Sequence, residues 1–126
     1  MSTGLGNLKI YTMAQELELR VFELTKNFPN DEKYRSVDQL RRSSSSATNN
    51  VAEAYNKRSL KEKVHILHDI VKSEAEETKS NLAVCLKKGF HNDNEIIDRY
   101  TELIKAVSGF IRFLKDNENT NRPNRT

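Results

Sequence analysis

The chain is poor in residues that interrupt a helix. Its 126 residues include four glycines and two prolines, and no tryptophan. So few breakers favour long helices over a strand-rich fold. No run alternates apolar and polar residues with β-branched enrichment, so strand signals are missing too. There is one cysteine, Cys85, and a single cysteine makes no internal disulfide. It lies in NLAVCLKKG, in line with apolar helix positions, which predicts a small buried hydrophobe. That fits a reducing compartment. No segment reaches the ~20 apolar residues that cross a bilayer. The opening MSTGLGNLKIY has neither the basic nor the apolar region of a signal peptide. The expectation is a cytoplasmic protein without membrane contact. There is no glycine-rich phosphate loop, no paired metal motif and no nucleophile in a recognisable setting. That predicts a protein that is not an enzyme and needs no cofactor.

What is present is helical period. Hydrophobic residues make up 36% of the chain and charged residues 31%, the proportions of a compact core under a charged surface. Ile10, Met13, Leu17, Val21, Leu24 and Phe28 form one stripe, predicting a helix from about Leu8 to Phe28 that Pro29 ends. Glu16 and Arg20 are spaced to pair on its other face. Val37, Leu40, Ser44, Ala47, Val51 and Ala54 predict a second helix to about Asn56. Ser59-Leu60-Lys61-Glu62 is a capping-box pattern that opens a third, long helix. Its stripe runs from Leu60 through Val64, Leu67, Val71, Ala75, Thr78 and Leu82 to Cys85, and Gly89 follows it. The start signal recurs at Asn92-Asp93-Asn94-Glu95, before a fourth helix to about Asp116 in which Glu95 is spaced to support Arg99.

These segments predict an all-α fold, an antiparallel up-and-down four-helix bundle. Residues 1–7 are expected to form a flexible N-terminus, 8–116 the bundle, and 117–126 a disordered tail, since the tail has no apolar side chain to bury. Phe22, Ile66, Ile70 and Phe90 look surplus to one core, which points to a homo-oligomer.

Charge is concentrated in one place. Between Arg41 and Lys63 stand Arg41, Arg42, Lys57, Arg58, Lys61 and Lys63 against Glu53 and Glu62, a local balance of +4 where the whole chain has +3. The chain's sequence pI is about 9.0. The same stretch holds four consecutive serines, Ser43 to Ser46. Serine competes for backbone hydrogen bonds and is a mediocre helix former. Two readings stand: the small side chains let a neighbouring helix approach closely, or their hydroxyls face a wet groove or a subunit contact.

From Gln39-Leu40-Arg41-Arg42 through Ser46, Asn50, Ala52 and Glu53 into Lys57-Arg58-Ser59, the chain resembles a known family. It is similar to the four-helix-bundle proteins encoded by intervening sequences in bacterial 23S ribosomal RNA genes. Related bundles are the accessory variability determinants of diversity-generating retroelements. LKIYTMAQELELRVFELTKNFP, Ser73 with Glu76, and Phe90 after Gly89 carry the likeness further, over about Leu8 to Leu114. The resemblance implies a bundle assembled as a ring-like homopentamer. For partners it implies RNA or DNA, or a reverse transcriptase, as for the retroelement relatives. Thr48 stands where the family pattern has proline, and Ala54 where it has glycine. Thr48 restores a backbone N–H, so the second helix is expected to be straighter than in relatives.

The candidate nucleic-acid-binding residues are Arg41, Arg42, Lys57, Arg58 and Lys61. Arg41 and Arg58 lie about 25 Å apart at ~1.5 Å per helical residue, so one bundle offers two basic points. An oligomer would bring several copies together into a track for phosphates. The competing reading is a solvated face paired with Glu53 or Glu62. An adaptor whose basic residues meet an acidic protein is the alternative function. Gln39, Asn50 and Glu53 read as a hydrogen-bond network that sets helix register. His65 and Asp69 have metal-ligand spacing but no second cluster, so no metal is expected.

Overall fold

The computed structural model describes residues 4–120, and among them the regular elements are all helical. A 3-10 turn at Leu5–Asn7 leads into α1 at Lys9–Thr25. Next come α2 at Asp38–Asn56 and α3 at Leu60–His65. α3 passes through a π-helical segment, Ile66–Val71, into α4 at Lys72–Lys87. α5 spans Asn94–Thr120. α3, the π segment and α4 form one continuous arm, so the bundle has four arms. α1 packs on α2, α2 on α4 and the π segment, α4 on α5, and α5 back on α1. That closed circuit is the up-and-down arrangement the short connections predict.

The core follows the predicted stripes, with small rotations. α1 buries Ile10, Ala14, Leu17, Val21 and Thr25, while Met13 and Leu24 are half-buried beside them. In the third arm Leu67, Val71 and Ala75 are all buried at successive steps of four. Each such step overshoots an α-turn by about 40°. The wider π turn takes up that drift and keeps the three on one face. α2 runs as an uninterrupted α-helix through Thr48, as its backbone N–H allows.

The connections are more ordered than the sequence suggests. Helical turns at Asn30–Glu32 and Lys33–Val37 join α1 to α2, with a kink at Arg35 where φ is −121° and ψ is −105°. Ser36 donates to Glu32 at 2.6 Å there, and that bond foremost holds the Glu32 carboxyl below its ordinary value. After α4, Gly89 takes φ +81°. Phe90 N–H then reaches Cys85 O, and Gly89 N–H reaches Leu86 O, both at 3.0 Å. This is the double closure that a left-handed residue permits. His91 completes the turn: Nε2 donates to Leu82 O at 2.9 Å and Nδ1 accepts from Asp93 N–H at 3.0 Å.

Several expectations need correction. α5 continues to Thr120, because i→i−4 bonding carries the helix past its last core residue; residues 121–126 lie outside the described ones. Gly4 to Leu8 form the 3-10 turn rather than a loose lead, and 1–3 lie outside the described residues. Arg20 does not pair with Glu16. It bridges to Asp93 at 2.7 Å and Glu95 at 3.3 Å, tying α1 to the start of α5. Asp93 also caps α5 through Ile96 N–H at 3.1 Å. Burial pushes its carboxyl up, but Arg20 and the Ile96 and Glu95 amides outweigh that and hold it low. Arg99 pairs with Glu102 instead of Glu95. Of the apolar surplus, Ile66 is buried, and Phe90 is half-buried against Phe28 at a ring separation of 5.5 Å.

Candidate nucleic-acid interface

The turn between α2 and α3 is rigid by construction. Lys57 adopts an extended conformation and ends α2. Ser59 Oγ accepts from Glu62 N–H at 3.0 Å and donates to Glu62 Oε1 at 3.1 Å. Lys63 reaches back and donates to Ala54 O at 3.3 Å and Tyr55 O at 3.0 Å. It thereby satisfies carbonyls that the end of α2 leaves open, with a charge that suits that end. Both helix ends are thus capped within seven residues of chain, and Lys57, Arg58 and Lys61 are held around them.

The five candidate cations separate into three situations. Arg41 is half-buried and engaged inside the bundle. Its Nε donates to Thr25 Oγ1 at 2.9 Å, a terminal N–H donates to Phe22 O at 3.2 Å, and the guanidinium lies 4.3 Å from the centre of the Phe22 ring. It caps α1 and covers an aromatic ring. Arg42 pairs with Asp38 at 2.5 Å, and Lys57 is 3.9 Å from Glu53. Arg58 and Lys61 form no ion pair with any described residue.

Both readings of the serine run hold in part: Ser43 and Ser44 pack at a helix contact, and Ser43 and Ser46 border an open groove. Ser43 and Ser44 are buried in the helix contact. Ser43 Oγ lies 2.6 Å from Thr78 Oγ1, and Thr78 donates in turn to Glu74 O at 2.7 Å. Ser46 donates to Glu74 Oε2 at 3.1 Å. Ser43 and Ser46, with Gln39, Arg42, Glu74 and Glu77, line an open cleft of about 440 Å³. Its two glutamates disfavour phosphate there, which leaves Arg42 on mixed ground. Asn50 donates to Ser46 O at 2.8 Å within α2, and Gln39 separately accepts from Asn81 at 3.4 Å, so the expected single network of Gln39, Asn50 and Glu53 does not form. Glu53 instead faces Lys57.

A second cleft, of about 410 Å³, opens beside the basic turn, lined by Glu53, Lys57, Lys61, Glu62, His65, Ile66 and Ile70. The sequence considered His65 only as a metal ligand, a role it did not support, and did not place it on this surface. The signal that would have found it is the i,i+4 step from Lys61 to His65 on α3. Among the described residues, no group of three or more His, Cys, Asp or Glu is arranged to hold a metal ion. Cys85 is buried, and burial foremost pushes its thiol up, away from a reactive thiolate. No described helix is long and apolar enough to cross a membrane.

The family model described as 23S rRNA-intervening sequence protein matches residues 6–112. A crystal structure of a protein of unknown function from the S23 ribosomal protein family of Bacteroides thetaiotaomicron VPI-5482 superposes with a TM-score of 0.71 at 21% identity. The match covers 81% of this chain and 97% of that one, and it establishes the shared bundle fold. No curated protein sequence matches the chain.

Proposed function

Since the chain belongs to the 23S rRNA-intervening sequence protein family, we propose that it is a non-enzymatic bundle protein that associates with RNA or DNA through the phosphate backbone. The contact surface is the α2–α3 turn, with Lys57, Arg58 and Lys61 as its cations. The observation that carries this reading is that Arg58 and Lys61 stand on a rigid turn without a carboxylate partner among the described residues. The capped turn fixes the backbone that carries them, and cations without a carboxylate partner break no ion pair when they meet phosphates. Arg41 is left out of the surface because its guanidinium is engaged by Thr25 and Phe22. Phosphate contacts of this kind bind without sequence preference and weaken with salt.

Fluorescence anisotropy with labelled single-stranded RNA and duplex DNA tests the proposal at about 50 mM salt, where the phosphate attraction is strong. Reversing both charges, Arg58→Glu with Lys61→Glu, should lower affinity at least about tenfold and reduce the salt slope by about two. Arg41→Ala should behave oppositely. It should cost about 1–3 kcal/mol of stability in a urea melt and leave the affinity of the folded protein unchanged. Failure of the parent protein to bind either nucleic acid at low salt removes the proposal.

Self-association belongs to the same reading, because several copies would multiply a modest charge. Leu19 at 60% and Phe113 at 55% exposed support it, as large apolar side chains left open on a small bundle. Light scattering on the same samples should report an oligomer, with the five-membered ring as the expected mass. A monomer at every concentration would remove this part.

A further inference from the structure

The cleft beside the basic turn has an apolar floor, Ile66 and Ile70, and His65 stands on its wall with Lys57 and Lys61. One turn further along the arm, Asp69 joins two imidazoles. His65 Nδ1 lies 2.7 Å from Asp69 Oδ2, and His68 Nδ1 lies 2.8 Å from Asp69 Oδ1. An ionised carboxylate only accepts, so each Nδ1 carries its hydrogen and each Nε2 remains to take up a proton. Both rings are exposed.

We infer that His65 and His68, held in place by Asp69, form a protonation-controlled extension of the phosphate-binding turn; this rests on the nucleic-acid reading above. With neutral rings, Asp69 places a negative charge beside the cations of the cleft. With both rings protonated, the same trio is a net cation. The charged groups lining the cleft with His65 are Glu53 from α2, Lys57 just past its end, and Lys61 and Glu62 from α3, and Lys72 follows Asp69 by three residues along the arm. Together with Asp69 they sum to zero while the rings are neutral and to +2 when both are protonated. The hydrogen bond from His68 foremost, with the charges of both rings, holds the Asp69 carboxyl below its ordinary value. It therefore stays ionised and keeps both rings oriented. The protonated form binds phosphate better, so the added affinity is present at low pH and absent at high pH.

The test is anisotropy with a fluorescein-labelled single-stranded RNA at constant ionic strength, at about pH 6 and about pH 8, bracketing the charge change of histidine. The parent protein should bind about tenfold more tightly at the lower pH. The His65→Gln/His68→Gln double variant should show a change of less than about twofold. These side chains are exposed, so the variant keeps its core. His91, packed on Phe28 with ring planes 3° apart, is unchanged in the variant. Measurable binding with a flat parent profile, or an equal rise in the double variant, overturns the inference and leaves the nucleic-acid reading standing. Absence of parent binding at both pH values overturns that reading, and this inference with it.

Discussion

Tyr100→Ala should remove about 3–5 kcal/mol of stability, the range for deleting a fully buried aromatic side chain. A domain of this size has about 5–15 kcal/mol in all, so the variant should sit close to unfolding at ambient temperature. The reason is positional. Tyr100 is 1% exposed, near the start of α5, and its ring lies within the core shared with α1. Burial pushes its phenol well above the ordinary tyrosine value, and the charge of Glu18 on α1 adds to that push. Removing the ring opens a cavity that flanking helices fill only in part. Urea unfolding of Tyr100→Ala and Tyr100→Phe separates ring from hydroxyl: the phenylalanine variant should retain most of the stability. A loss below about 1 kcal/mol for the alanine variant would mean that the ring is not a core element.

Leu40→Ala should cost about 2–5 kcal/mol. Leu40 is completely buried on α2, next in sequence to Arg41, whose side chain leaves the core for α1. α2 packs on α1, α4 and the π segment alike, so a void at Leu40 is shared by several arms. The variant should lose its folded state at lower urea with an unchanged denaturant slope. Its folded fraction should bind nucleic acid as the parent does, because Lys57, Arg58 and Lys61 are held by the capped turn rather than by Leu40. A large affinity loss in fully folded Leu40→Ala would place the binding surface near the start of α2.

The helices were legible in the sequence because their apolar residues recur with a helical period, and because Ser59, Gly89 and Asp93 punctuate them with recognisable chemistry. The basic site was legible only as composition. Arg41 and Arg42 are neighbours in sequence with the same charge, yet Arg41 turns onto Thr25 and Phe22 of α1 while Arg42 lies over Asp38. Nothing local distinguishes them, since the deciding partner of Arg41 comes from another helix. Arg20 is similar: Glu16 was its neighbour in sequence, and Asp93 proved to be its neighbour in space. The π segment also went unseen, because its cause is a drift in the buried stripe that only packing against α2 and α5 makes costly.

The sequence by itself determined the bundle: helical period, scarce breakers and caps are local properties, and burying the resulting stripes leaves few arrangements. Only the tertiary structure decided which charges remain available. A cation's availability depends on the carboxylates, carbonyls and rings within a few ångströms of it, and those arrive from distant parts of the chain. So the basic segment from Arg41 to Lys63 divides into Arg41 and Lys63, which cap helices, Arg42 and Lys57, which lie beside Asp38 and Glu53, and Arg58 and Lys61, which face outward without a charged partner among the described residues.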